Sequence, residues 1–173
     1  DIMNSQHPDP NVGPSVFKNR LRAPNEKRKD NKAATISENG FAKSIKPIFG
    51  TRNSPLYKAT AAETSKVLID WWNAWAIKCP QPFQKYEPTG FQPNDYVIQQ
   101  NIGTQSLNKL LSKIQGEFQL QSLTKLTQKN FEDLISIADL TEADRWLKGT
   151  GHWSKFGTNQ KSFGMIADEM LGL

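Results

Sequence analysis

The run from Thr60 to Pro82 constrains this chain most. Thr60-Ala-Ala-Glu63 is a capping box: the Thr hydroxyl takes one free backbone N–H of a helix start, and the Glu reaches back for another. Val67, Leu68, Trp71, Trp72 and Trp75 follow at i, i+3/i+4 and i+7 spacing, and Pro80 and Pro82 end the run. Three tryptophans in five residues invite a ligand-stacking reading, but at helical spacing such a stripe is read as core. A helix with that face needs other elements to cover it.

Those elements are legible downstream. Residues 80–103 carry Pro80, Pro82, Pro88, Gly90, Pro93 and Gly103, which predicts a long loop with Tyr96, Val97 and Ile98 as its one short β segment. Leu107, Leu110, Leu111, Ile114 and Phe118 follow the 3.6 period of a second helix, with Thr104 as its expected N-cap and Gly116 near its end. Phe131, Leu134, Ile135 and Ala138 mark a third, capped at Thr127. Thr141-Glu-Ala-Asp144 reads as a fresh helix start leading to Trp146, Leu147 and Gly149. Trp153 and Phe156 lie in a Gly-rich stretch, and Phe163, Ile166, Ala167 and Met170 form a last amphipathic helix. The fold class expected is mainly α, a small helical bundle over residues 60–173.

Residues 1–58 read differently. They hold Pro8, Pro10, Pro14, Pro24, Pro47 and Pro55, little apolar periodicity and a net charge of +6, whereas residues 59–173 sum to −1. Such a stretch is expected to be a long, largely irregular N-terminal arm or linker. Its charge is densest at Lys18, Arg20, Arg22, Lys27, Arg28, Lys29 and Lys32, a pattern that attracts phosphate without fixing a geometry. A nucleic-acid or acidic-partner contact and a solvated linker are both open readings of it. Phe41, Ile45, Ile48 and Phe49 form the one apolar cluster before residue 60 and are expected to dock on the folded part.

Several function classes lose support. A single cysteine, Cys79, allows no intramolecular disulfide and fits a reducing compartment. No apolar run approaches 18 residues and no signal-peptide h-region is present, so the expectation is an intracellular, cytoplasmic chain without a membrane partner. A first residue Asp1 rather than Met is read as a fragment with upstream sequence missing. His7 and His152 stand apart from any Cys or paired carboxylates at ligand spacing, so no metal site is expected. Gly149-Thr-Gly151 is too short for a phosphate loop and lacks its lysine. Cys79 has no nearby His to act as base, and Asp168 and Glu169 read as the solvated face of the last helix. A non-enzymatic chain without catalytic residues, cofactor or small-molecule substrate is the expectation. Arg145, Lys148, His152, Lys155 and Lys161 around Trp153 form a second basic group, suited to backbone neutralisation and base stacking, or else a solvated loop anchored by its aromatics.

The order of landmarks resembles the C-terminal domain of phage and prophage replication-initiation proteins, the replisome organisers, over about residues 65–171. The stretches that carry it are Val67-Leu-Ile-Asp-Trp-Trp-Asn73 before Pro80, the Leu107–Ile114 helix, Phe131 to Ala138, Arg145-Trp-Leu-Lys-Gly149, Trp153, Phe156 and Phe163-Gly-Met-Ile166. The family's Lys/Arg-rich turn before the second helix is here Lys85-Tyr-Glu-Pro-Thr89 followed by an insertion to Gly103, and the Trp153–Phe163 spacing is shorter than usual. The resemblance implies an origin-DNA-binding winged-helix domain upstream of Asp1, and a C-terminal domain that helps load the replicative helicase or its loader in a bacterial or phage-infected cell.

The expected function is therefore a DNA-replication adaptor. Lys18, Arg20, Arg22, Lys27, Arg28, Lys29 and Lys32, joined by Lys148, Lys155 and Lys161, would contact phosphates while the helical domain engages a protein partner. The rival is a structural or assembly protein of a virion or large complex, whose arm orders on neighbouring subunits.

Overall fold

In the computed structural model of the chain, residues 3, 7–49, 54–85, 90, 92–117, 122–137 and 142–172 are described. The regular elements are β1 (Leu21–Arg22), β2 (Ile36–Ser37), α1 (Glu38–Ser44), α2 (Ala61–Lys78), α3 (Asn101–Glu117), α4 (Gln128–Ile137) and α5 (Gln160–Leu171), joined by short 3₁₀ turns. The protein is a small, mainly helical bundle preceded by an irregular region.

The capping box forms as its residues dictate: Glu63 N–H donates to Thr60 Oγ1 at 3.2 Å and Thr60 N–H to Glu63 Oε2 at 2.8 Å. Helix α2 then runs 18 residues, about 27 Å at 1.5 Å per residue. Its stripe is core, with Trp71, Trp72 and Trp75 all shut off from solvent. Helix α4 covers it by setting Phe131 edge-on to Trp71, with ring centroids 5.2 Å apart. The ladder continues from Trp75 to Trp146 and from Trp146 to Trp153, at 6.2 and 5.9 Å.

Helix α3 lies between α1 and α5. It buries Leu107, Leu110, Leu111 and Ile114 and also several polar side chains. Asn108 is satisfied on both sides: its Oδ1 accepts from the Trp72 indole N–H at 3.1 Å, and its Nδ2 donates to Ser44 Oγ at 2.8 Å. One amide thus ties together α1, α2 and α3. Helix α5 is capped by Asn159 and ends on Gly172, whose positive φ of 72° suits a left-handed C-cap.

Three local expectations change. Helix α3 begins at Asn101, so Thr104 is not its cap; the Thr104 hydroxyl instead donates back to Gln100 O at 2.9 Å. The helix starts early because Gly103 lets its first turn press on the Ile98 backbone, where a Cβ would lie 2.0 Å from Ile98 O. The start read at Thr141–Asp144 is one 3₁₀ turn, Ala143–Trp146, with Thr141 itself outside the described residues. It stops because Leu147 turns extended to bridge Tyr96, and that isolated bridge is what the Tyr96–Ile98 β segment amounts to. Phe118 and Ala138 also lie outside the described residues.

The segment before α2 is irregular yet held. Phe17 is fully buried, tilted against Phe41 at 4.7 Å and edge-on to Trp72 at 4.9 Å. Ile48 and Leu56 are also fully buried, while Ile45 and Phe49 pack half-exposed beside them. Asp9 N–H donates to His7 Nδ1 at 3.0 Å, which leaves the ring proton on Nε2 to bond Ala62 O at 3.1 Å in the first turn of α2. Asn73 closes the same seam, accepting from Val16 N–H and donating to Pro14 O. One core therefore includes residues from both sides of the 58–60 boundary that charge and proline content suggest.

Candidate nucleic-acid interface

Strands β1 and β2 pair in parallel, Leu21 with Ile36 and Arg22 with Ser37, so residues 23–35 must cross from the end of one strand to the start of the other. They do so in successive tight turns closed by Glu26 N–H to Ala23 O, Asp30 N–H to Lys27 O and Ala34 N–H to Asn31 O, at 3.1, 2.9 and 3.2 Å. Each turn takes a side-chain acceptor as well. Glu26 Oε2 accepts from Ala23 N–H, Asp30 Oδ2 from Lys27 N–H and Asn31 Oδ1 from Ala34 N–H.

That arrangement decides the electrostatics. The two acidic side chains between Lys18 and Lys32 both bond backbone amides, and neither forms an ion pair with the neighbouring cations among the described residues. Lys18, Lys27, Arg28, Lys29 and Lys32 are exposed and Arg22 is half-buried. Among the described residues none of the six has an ion-pair partner. The result is a folded loop whose outer face, with Lys27, Arg28, Lys29 and Lys32 against the exposed Asp30, is net positive.

Arg20 stands apart. Its side chain is buried, with Nη1 donating to Gln99 Oε1 at 3.3 Å and Nη2 to the carbonyls of Phe83, at 2.8 Å, and Gln84. Burial lowers its pKa from the ordinary guanidinium value. Gln99 is itself fixed by its Nε2 on Pro82 O at 2.8 Å. Arg20 therefore clamps the 80–84 loop and backs the positive face from inside.

The loop is fastened to the bundle by Asn94, in the 3₁₀ turn Pro93–Asp95. Asn94 Nδ2 donates to Lys32 O at 3.0 Å and Ala34 O at 3.3 Å, while its Oδ1 accepts from Arg28 Nη2 at 3.3 Å. Lys148 N–H bonds Asp95 O at 2.7 Å, one residue further along, and the Lys148 side chain is exposed. The structure thus brings Lys148 beside the anchor of the 23–35 loop.

Lys155 and Lys161 are exposed on the turn before α5 and in its first helical turn, and no hydrogen bond among the described residues links them to the 18–34 segment. The rest of that second group is internally engaged. Arg145 pairs with Glu142 at 3.2 Å, His152 with Glu169 at 2.7 Å, and Trp153 is fully buried. Its aromatics anchor the loop. Asp168 pairs with Lys113 across α3 and α5.

Among the described residues no group of three or more His, Cys, Asp or Glu side chains gathers to hold a metal. Cys79 is buried, and burial pushes its thiol up to about 12. No helix among the described residues is long and apolar enough to cross a membrane. Sequence reasoning singled out the cations but missed Asn94 and Gln99, which hold the loop and Arg20, and Gln100, whose Nε2 donates to Asn94 O at 2.8 Å. The only hint was the Pro93-Asn94-Asp95 turn, and nothing local says that it meets a loop some sixty residues earlier. Compared with family models, with curated proteins and with solved structures, the chain finds no match.

Proposed function

We propose that the chain is a non-enzymatic nucleic-acid-binding adaptor whose turn-built 23–35 loop, with Lys148 beside it, lies against a phosphate backbone. The observation that supports this is the loop's surplus of positive charge: Lys27, Arg28, Lys29 and Lys32 face solvent without an ion-pair partner among the described residues, against one exposed acid, Asp30. Phosphate neutralisation positions a protein on DNA without reading sequence. The resemblance to replication initiators makes DNA the polymer and a replicative helicase or its loader the protein partner of the helical face.

The test is a titration of single- and double-stranded DNA into the full chain at about 50 and about 200 mM salt. Five phosphate contacts on a duplex give a log–log slope of about −4.5, a loss of roughly 500-fold over that range. The double variant Lys27→Gln, Lys29→Gln should lower the slope by about 2. Absence of binding at about 50 mM, or binding indifferent to salt, rejects the proposal.

A further inference from the structure

Between the positive loop and the start of α3 lies a cleft of about 90 Å³, lined by Arg22, Arg28, Ala34, Thr35, Ile36 and Gln100. Its chemistry is one-sided. Two arginines line it and no Asp or Glu does. Ala34 and Ile36 are buried, while Arg28 is exposed and Arg22 and Thr35 are half-exposed, so the polar groups are the accessible ones.

Further features make it a site for an anion. Gln100 directly precedes the 17-residue helix α3, whose N-terminal end carries the positive pole of the helix dipole. The hydroxyl of Thr35, which lines the cleft, shares one acceptor, Gln99 Oε1, with the buried Arg20 guanidinium, at 3.5 and 3.3 Å. The Thr35 contact is long, and the hydroxyl can rotate toward a ligand oxygen. Arg22 and Arg28, the two arginines that line the cleft, have no ion-pair partner among the described residues.

Size fixes the ligand class. A volume of 90 Å³ is about three water molecules' share of liquid, enough for a tetrahedral oxyanion, and far below the roughly 300–1,000 Å³ of pockets that enclose drug-sized molecules. A phosphoryl group fits that space. We infer that the Arg22–Arg28 cleft seats a single phosphoryl group of the bound nucleic acid, fixing the strand's register on the surrounding basic face. This rests on reading the face as a nucleic-acid surface. The phosphoryl group comes either from within the strand or from its 5′ end.

The experiment uses the full chain at low salt with three arms. Inorganic phosphate is titrated while NMR signals of the Arg22 and Arg28 side chains and the Thr35 and Gln100 amides are followed. Twelve-residue oligothymidylates with 5′-phosphate and 5′-hydroxyl ends are compared, and Arg28→Gln is set against Lys27→Gln, the same charge change outside the cleft. Phosphate should shift the four cleft residues saturably. Arg28→Gln should weaken oligonucleotide binding at least about tenfold more than Lys27→Gln, because a charge-assisted contact in a formed cleft exceeds an exposed one. Tighter binding of the 5′-phosphorylated strand assigns a terminal group, and equal binding assigns an internal one.

Equal losses from the two substitutions, with no phosphate shift at the cleft, overturn the proposal while leaving the basic face intact. Saturable phosphate shifts without any oligonucleotide binding uphold the cleft as an oxyanion site and reject the nucleic-acid reading. The phosphate arm uses the unmutated chain, so it stands whether or not a variant folds.

Discussion

Replacing Phe17 with alanine separates an arm that is part of the fold from one that is only attached to it. Phe17 is fully buried, with ring centroids 4.7 Å from Phe41 and 4.9 Å from Trp72. Removing a ring so enclosed costs about 3–5 kcal/mol, the transfer term plus the cavity left between α1 and α2. At an m-value of about 2 kcal/mol per molar urea, the unfolding midpoint should fall by roughly 1.5–2.5 M. Tryptophan fluorescence follows it, since Trp72 borders the cavity. Trypsin gives a second reading, because Lys27, Arg28 and Lys29 sit in tight turns and should be cut faster once Phe17 no longer holds the segment. On a free linker the same substitution stays within about 0.5 kcal/mol. A midpoint unchanged within about 0.3 M would refute the packing of this segment on the bundle.

Asn108→Ala should destabilise by about 2–4 kcal/mol, since it leaves the buried Trp72 indole N–H without its acceptor and Ser44 without its donor; chemical denaturation checks it, and a loss below about 1 kcal/mol contradicts the network. Thr60→Ala should cost about 1 kcal/mol of cap. The Glu63 carboxyl is held below its usual 4.5 by the Thr60 backbone N–H and hydroxyl, so its contribution is present above that value and fades as pH falls through the lower folded-state value. In Thr60→Ala a carbon-detected NMR titration should find Glu63 nearer 4.5. Gly103→Ala places a Cβ 2.0 Å from Ile98 O and should cost about 3 kcal/mol, the upper end of overpacking, with thermal unfolding as the assay; an unchanged Tm contradicts the close approach.

What the sequence made legible was periodic or local. The α2 capping box needs only Thr60 and Glu63, and the tryptophan stripe needs only 3.6-residue spacing, so both could be read without a partner in view. The cap of α4 at Thr127 is the same kind of signal, and Asn130 N–H does bond its hydroxyl, at 3.4 Å. Thr104 misled because a Thr before an apolar run is equally able to bond back four residues, and Gly103 decided between the two by letting the backbone press on Ile98, five residues earlier. The positive segment was visible as charge, but its geometry was not. Parallel pairing of two-residue strands leaves no alternation to detect, and the fastening of Lys32 and Ala34 by Asn94 joins positions some sixty residues apart. Arg20 shows the limit most sharply: by composition it is one of seven cations, and by position it is an internal clamp.

The difference between a charged tether and a formed face has a measurable consequence at a residue that carries no charge. A tether binds through its lysines and arginines wherever they happen to lie, so a neutral side chain elsewhere in the bundle should not matter. A formed face has already lost chain freedom that a tether would lose on binding, roughly 1–2 kcal/mol per ordered residue. Mutual repulsion among Lys27, Arg28, Lys29 and Lys32 opposes that order, and Asn94 counters it with bonds to two loop carbonyls and to Arg28. Asn94→Ala removes those bonds and leaves every cation in place. If the chain binds DNA as proposed, losing two or three net hydrogen bonds should let the loop open and lower that affinity about three- to tenfold at about 50 mM salt. The salt slope, which counts phosphates neutralised, should stay unchanged. Affinity unaffected by Asn94→Ala would mean that the loop binds as a tether, and that its turns play no part in recognition.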